Sequence, residues 1–295
     1  MSLSCENLRF AYSSAGKPVI DGLSARFLPG RLTAIIGANG CGKSTLMRLL
    51  LGSLQPQAGT IKLDGVALNA INPGQRARRL AYVAQRPSLS EAFTARRVVQ
   101  LGRHASSTLF TSGTQDRNTP DALAVDGALR RAGATELADQ SFGELSAGQQ
   151  QRISLARAIA QLDRPASPTA QAADAGAVLL ADEPCSAMDP RHEQHTMRLL
   201  RALCTGQSDD GSTRPPTTVI VVLHDLSVVA RWCDNVLIMN PRGGVIAHAP
   251  IHQALTPASL REAFQTNFRI VHEPGSDQSN PNAKRILAIV PEDEP

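Results

Sequence analysis

The stretch GANGCGKST, Gly37 to Thr45, constrains this chain more than any other. It lies between the apolar run Leu32–Ile36 and the helix-like run Leu46–Leu51. The order is therefore strand, glycine-rich loop, helix. Gly37, Gly42, Lys43 and Ser44 fit the spacing of a phosphate-binding loop. Gly37, Gly40 and Gly42 let the backbone curl so that its N–H groups face inward, toward phosphate oxygens. The next helix offers its positive end to the same anion. In such a loop Lys43 neutralises phosphate charge, and the Ser44 hydroxyl holds Mg²⁺. The plainer alternative is a glycine turn before a helix.

Length and composition narrow the class. The chain has 295 residues, enough for one large domain or two moderate ones. Apolar residues make up 42% and charged residues 19%, the balance of a globular protein. A net charge of +4 without a long basic run gives no reason to expect nucleic-acid binding. The arginines at 76–79 and 96–103 read as solvated faces or protein contacts. The cysteines at 5, 41, 185, 204 and 233 have no framework spacing, which argues for a reducing compartment and against zinc. MSLSCENLRF lacks the charged and apolar regions of a secretory signal. Apolar runs such as Val219–Leu223 fall far short of the roughly 20 residues that span a bilayer. If the protein works at a membrane, another chain is expected to supply the span.

Along the chain, strands are expected over 3–12, 19–27 and 32–36, and a helix from Lys43 to about Gly52. A hairpin is expected around Asp64-Gly65, between Thr60–Leu63 and Val66–Leu68. Arg78–Ala84 reads as a strand that ends at Gln85. Helical periodicity then dominates, near 94–103, 121–133 and 147–161, so a helical subdomain is expected between strands. The stretch 105–119 between the first two reads as a loop. The segments 163–175 and 205–216, rich in small and turn-forming residues, read as surface insertions. Ala177–Ala181 and Thr217–Leu223 read as buried strands, with a helix over about 190–203 between them. Beyond His224 come a helix over 226–233, strands 236–240 and 243–247, a helix over 257–264 capped by Thr256, and strands 269–272 and 285–290.

ATP chemistry needs a carboxylate for Mg²⁺ and a group that orients water. The segment VLLADEP brings Asp182 and Glu183 to the carboxyl end of a strand, where ligands of parallel sheets bind. Asp182 would hold Mg²⁺, and Glu183 would act as general base. The alternative is that Asp-Glu-Pro simply opens a helix. In ELSAGQQQ, Ser146 and Gln149 are spaced as a capping box, so this stretch also reads as a well-started helix. Gly148 in its first turn permits close approach of another group. Ser146 and the free N–H groups there would make a second anion site.

GANGCGKST, LSAGQ, VLLADEP, SAMD (186–189) and His224, in this order, resemble the ATP-binding cassette (ABC) ATPases. The resemblance covers residues 3 to about 250. It implies an α/β fold with a P-loop NTPase core, an N-terminal antiparallel β subdomain and an inserted α-helical subdomain. A nucleotide-binding domain is expected over 1–250, with its helical part at about 88–160, and a C-terminal extension over 251–295 packed on it. The resemblance implies that Tyr12 stacks on adenine, although a half-buried strand tyrosine is an equal reading of Tyr12 alone. It further implies that Gly37, Asn39, Gly40, Cys41, Gly42, Lys43, Ser44 and Thr45 bind ATP. Gln85 is then the glutamine that senses Mg²⁺ and water, with Ser44 and Asp182 as metal ligands. Glu183 and His224 are catalytic, and Asp189 is the aspartate of the loop after the carboxylates. A head-to-tail homodimer is implied, with Ser146, Gly148 and Gln149 of one subunit capping the ATP of the other.

Ala181, Cys185 and Cys41 depart from the usual family residues, and none of them removes a ligand or base. Thiol oxidation at Cys41 could affect ATP binding; small space-filling is the other role for these cysteines. The segments RPSLSEAFTARRVVQLGRH, LHDLSVVARWCDNVLIM and LREAFQTNFRIVHEP resemble the importers of iron chelates, haem and cobalamin. The resemblance therefore implies an ATP-hydrolysing subunit on the cytoplasmic face of a bacterial inner membrane. Separate permease subunits, and indirectly a substrate-binding protein, are its implied partners, with no nucleic acid. A non-transport ABC ATPase of DNA repair or the ribosome, or an exporter subunit, is the alternative.

Overall fold

A computed structural model describes residues 1–13, 16–87, 93–105, 119–163, 176–207, 215–273 and 286–292. In chain order the main elements are β1 (Leu3–Phe10), β2 (Ile20–Phe27), β3 (Leu32–Ile36), α1 (Lys43–Leu51), β4 (Ala58–Leu63) and β5 (Val66–Ala67). Next come α2 (Pro73–Arg79), β6 (Leu80–Val83), α3 (Ala95–Leu101), α4 (Pro120–Arg131), α5 (Ala147–Leu162), β7 (Ala177–Asp182), α6 (Pro190–Thr205) and β8 (Thr217–Val222). The chain then forms α7 (Leu226–Trp232), β9 (Asn235–Met239), β10 (Val245–Pro250), α8 (Ile251–Ala254), α9 (Pro257–Phe264), β11 (Phe268–His272) and β12 (Ile286–Pro291). These elements fall into two compact units: Ser2–Asn69 with Ile220–Pro295, and Met1 with Ala70–Val219.

The first of these units carries the glycine-rich loop. Its antiparallel sheet has the order β2-β1-β4-β5. Leu3 lies opposite Phe27 on one side and Leu63 on the other. All three are fully buried, each worth about 1.5–3 kcal/mol as removed apolar surface. In the same unit β3 pairs in parallel with β9, Ile35 against Leu237, and β10 closes antiparallel on β9. All five residues of β3 are buried. That is why the run reads as continuously apolar rather than alternating. Gly52 ends α1 in the left-handed conformation at φ 75°. At the C-terminal end β11 pairs with β12. Ile289 of β12 donates its N–H to Ser227 Oγ of α7 at 3.3 Å.

The other unit holds the helical insertion. The helices α3, α4 and α5 lie in the chain between β6 and β7, and these strands pair in parallel, Ala81 against Leu179. The expected α/β class, antiparallel β region and inserted helices are therefore all present. Helices α3 and α5 meet closely because Gly102 has no side chain. A Cβ there would lie 2.3 Å from the Arg157 carbonyl oxygen. Arg103, only 5% exposed, then turns back onto the C-terminal end of α5. It donates to the carbonyls of Ala160 and Asp163, and pairs with Asp121 of α4 at 2.9 Å. A cation on the last carbonyls of a helix meets its negative end.

One expectation needs correction. Arg78 and Arg79 are not strand residues; they end α2, and the strand covers only Leu80–Val83. Asn72 caps this helix by accepting the Gly74 N–H at 2.9 Å, and Pro73 sits at its first position. The short helix α8 has no counterpart in the sequence expectations. Most of the loops expected at 105–119, 163–175 and 205–216 lie outside the described residues.

Candidate nucleotide site

In the first unit the glycine-rich loop leaves β3 through Gly37, at φ 153°. A Cβ on Gly37 would lie 2.8 Å from the Met239 carbonyl oxygen and 2.8 Å from Cys41 Sγ. Gly42, at φ 103°, forms the N-cap of α1, and a Cβ there would meet the Val19 carbonyl at 2.9 Å. Both glycines are therefore required by backbone conformation and by close neighbours. No side chain caps the N-terminus of α1, and its first turn carries no acid. Its amides are left for an anion.

Lys43 is 7% exposed. Its ammonium donates to the carbonyls of Gly37 at 2.8 Å and Ala38 at 3.0 Å, so the loop itself holds the charge in place. Cys41 is 2% exposed, and burial pushes its thiol up from the ordinary value, against an opposing pull from Lys43. A thiol held protonated is a poor nucleophile. Space-filling therefore describes Cys41 better than redox sensing does.

Tyr12 stands outside β1 and is 61% exposed. It is not the half-buried strand residue that was one reading of it. Its hydroxyl lies 3.0 Å from Thr45 Oγ1, and its ring meets Phe10 edge-on, centroids 5.0 Å apart. The backbone before it is clamped by Gln57, whose amide accepts from Ala11 N at 3.1 Å and donates to Ala11 O at 3.3 Å. Gln57 had no motif to reveal it. His224 is exposed just beyond β8. Asp225, next to it, caps α7 by accepting from Ser227 N and Val228 N.

In the second unit β7 is buried along its whole length and ends at Asp182, 2% exposed. The hydroxyl of Tyr82, on β6, donates to Asp182 Oδ2 at 3.4 Å. Glu183 follows in the left-handed region, at φ 49°, which is uncommon for a non-glycine residue. Its carbonyl accepts from both the N–H and the Oγ of Ser186, at 3.3 and 3.2 Å. The Cys185 thiol is pushed up to about 12 by burial. Gln85 is exposed beyond β6. The adjacent Ala84 carbonyl accepts from Gln151 Nε2 of α5 at 3.2 Å, and Gln151 is 2% exposed.

The expected capping box is present at α5. Ser146 Oγ accepts from Gln149 N at 3.4 Å, and Gln149 Oε1 accepts from Ser146 N at 2.9 Å. Gly148 does admit a close neighbour: a Cβ there would lie 2.5 Å from the Ala187 carbonyl oxygen. The LSAGQ turn and the SAMD turn are thus packed backbone to backbone. Asp189 caps α6, with Oδ1 accepting from His192 N at 2.9 Å. Its Oδ2 lies 2.7 Å from His192 Nδ1. These bonds from His192 hold the carboxyl below its ordinary value. Among the described residues no three His, Cys, Asp or Glu side chains gather as a metal cluster.

Known proteins resemble this chain in sequence and in fold. The ABC transporter family profile matches residues 20–164. The hemin import ATP-binding protein HmuV of Pseudomonas entomophila is 37% identical over 265 residues, covering 89% of this chain and 92% of its own. The cobalamin import ATP-binding protein BtuD of Halobacterium salinarum is 34% identical over 262 residues, 89% of this chain and 59% of its own length. A solved structure described as a metal-chelate type ABC transporter in an inward-facing conformation superimposes with a TM-score of 0.74. It is 26% identical and covers 99% of this chain and 98% of that one. The chain belongs to the ABC transporter family as an ATP-binding, ATP-hydrolysing cassette.

Proposed function

We propose that this cassette powers uptake of an iron chelate, haem or a cobalamin-like compound through separate permease subunits. The likeness to the hemin import protein, across nearly the full length of both chains, carries this reading. A domain over 1–250 would bind the nucleotide, and the segment 251–295 would extend it. Among the described residues no helix is long and apolar enough to cross a membrane. In this reading the chain would act peripherally, at the cytoplasmic face, on permeases that receive cargo from a substrate-binding protein.

In this reading the backbone of Gly37, Asn39, Gly40, Cys41 and Gly42 wraps the phosphates, and Lys43 offsets their charge. Thr45 adds a hydroxyl, and Tyr12 stacks on adenine. Ser44, Gln85 and Asp182 offer hard oxygen donors, the set that suits Mg²⁺, which takes few protein ligands and shares substrate phosphates. Bound there, Mg²⁺ would neutralise charge on the transferring phosphoryl group. Glu183 would accept the proton of the attacking water, and His224 would contact the γ-phosphate. Two copies would close head to tail, with Ser146, Gly148 and Gln149 of one copy over the ATP of the other. Asp189 would lie near that junction.

The test is a transport assay. The gene is deleted in its host, and uptake of haem, of ferric chelates and of cobalamin is measured separately. Loss of one activity, restored by the wild-type gene but not by Lys43→Ala, supports the reading and selects the cargo. Unchanged uptake of all three, with salt-sensitive binding of the purified chain to DNA or ribosomes, overturns it.

A further inference from the structure

We propose that Tyr12 acts on the phosphates of the nucleotide as well as on its base, by polarising Thr45. The inference rests on the ATP-site reading above and goes beyond the stacking role. Stacking needs only an aromatic face, which phenylalanine offers equally. Yet the Tyr12 hydroxyl lies 3.0 Å from Thr45 Oγ1, on the first turn of the helix that follows the glycine-rich loop. Thr45 is 7% exposed, so little water competes for its hydroxyl.

The chemistry assigns the direction. A hydroxyl has one proton to donate and two lone pairs to accept with. If Tyr12 donates, Thr45 keeps its own proton for an acceptor. An anionic phosphate at the loop is a better acceptor than a phenol oxygen. The two bonds then run in series, Tyr12 to Thr45 to phosphate, and each polarises the next. The phenol is the stronger acid of the two hydroxyls, which favours the same order.

The surroundings hold Tyr12 for this task. Phe10 abuts one edge of its ring, at an interplanar angle of 85°. Gln57 takes both backbone groups of Ala11. The Phe10 carbonyl accepts from Val19 N at 2.8 Å. A ring exposed over 61% of its residue surface would otherwise lose rotamer freedom only when ligand binds. Here the hydroxyl is already set on Thr45 in the free protein. Phe10 and Gln57 are positioning residues in this arrangement.

The experiment is a double-mutant cycle on the full chain, with Tyr12→Phe, Thr45→Val and both together. Calorimetry reads the affinity for ATP and, separately, for inorganic tripolyphosphate, which has no base to stack. Phenylalanine keeps the ring and valine keeps the shape of threonine, and thermal melts check that each variant is folded. Tyr12→Phe is expected to weaken both ligands by about 3–10-fold, the scale of one hydrogen bond. In the Thr45→Val background the same change is expected to cost less than about twofold, because its partner is gone. Three outcomes overturn the proposal: equal loss in both backgrounds, loss for ATP but not for tripolyphosphate, or no loss at all. Failure of the underlying reading looks different. There the wild type itself binds neither ligand, or binds both with no dependence on Lys43.

Discussion

Glu183 shows how a local backbone choice and a proposed chemical role can share one residue. Its φ of 49° turns the chain sharply after β7, and Ser186 ties that turn by two bonds to the Glu183 carbonyl. The turn is therefore held through the Glu183 carbonyl, by the N–H and the hydroxyl of Ser186, and the carboxylate takes no part in these two bonds. Glu183→Gln should keep these two bonds and remove the proposed base. General bases contribute about 10²–10⁴-fold. The expected result is a fall in kcat of at least about 100-fold, with the ATP dissociation constant within about twofold of wild type. Turnover near the wild-type rate would remove Glu183 from that role. Cys41 gives an expectation of the opposite kind. Its thiol is buried and pushed up, so mild alkylation at neutral pH should leave the ATPase rate unchanged and the residue largely unlabelled. Rapid labelling of Cys41 with loss of activity would restore the redox reading. Residues such as Gly37, Lys43 and Ser146 were legible because their conformation or cap is written within a few positions of the chain. Gln57, Tyr82 and Gln151 were not. Their partners lie 46, 100 and 67 positions away, and no periodicity records such a pairing.

At the scale of elements, the helical insertion depends on where α5 can be approached. Gly102 enters the sequence reading only within a resemblance, and Arg103 also within an arginine patch read as a solvated face or protein contact; the structure instead buries Arg103 inside the chain. Gly102 admits the α5 backbone, and Arg103 closes its C-terminal end onto α4. Gly102→Ala forces a Cβ to within 2.3 Å of a carbonyl oxygen that belongs to a packed helix. Overpacking of this kind costs about 1–3 kcal/mol. In a unit of this size a fall of several degrees, about 2–4 °C per kcal/mol, is expected in a thermal melt. An unchanged melting temperature would mean that α3 shifts freely and that the contact is not a constraint. The other end of α5 carries the same logic, because Gly148 meets Ala187 at 2.5 Å. Element types were largely legible: α1, α4, α5, α6 and α9 lie close to where the period put them, with capping side chains read only at α5 and α9 and the closing Gly52 at α1. The strand expected over Arg78–Ala84 is present but starts two residues later, for a physical reason. Asn72-Pro73 is a helix start, and its signal was outweighed by the apolar run that begins at Leu80.

At the scale of the molecule, one compact unit joins stretches far apart in the chain, Ser2–Asn69 with Ile220–Pro295, while the other is continuous over Ala70–Val219 apart from Met1. Local patterns carry no record of that joining, so the division was not legible, whereas the fold class was. The proposed dimer belongs to this scale, because it asks the LSAGQ turn of one copy to cap the ATP of another. Two variants separate binding from closure. With ATP, Glu183→Gln should run at twice the monomer mass in light scattering, because the nucleotide that bridges two copies is not cleaved. Adding Ser146→Arg should return it to the monomer mass while single-site ATP affinity stays within about threefold, since the arginine lies on the capping face and not in the glycine-rich loop. The arginine obstructs closure by its bulk and also removes the capping hydroxyl, so Ser146→Ala serves as the milder control. Loss of the cap alone costs about 1 kcal/mol of helix stability. A Ser146→Ala chain that still dimerises beside a Ser146→Arg chain that does not would assign the effect to the interface. Dimers that survive Ser146→Arg, or a Glu183→Gln chain that stays monomeric at saturating ATP, would reject head-to-tail closure through the LSAGQ turn.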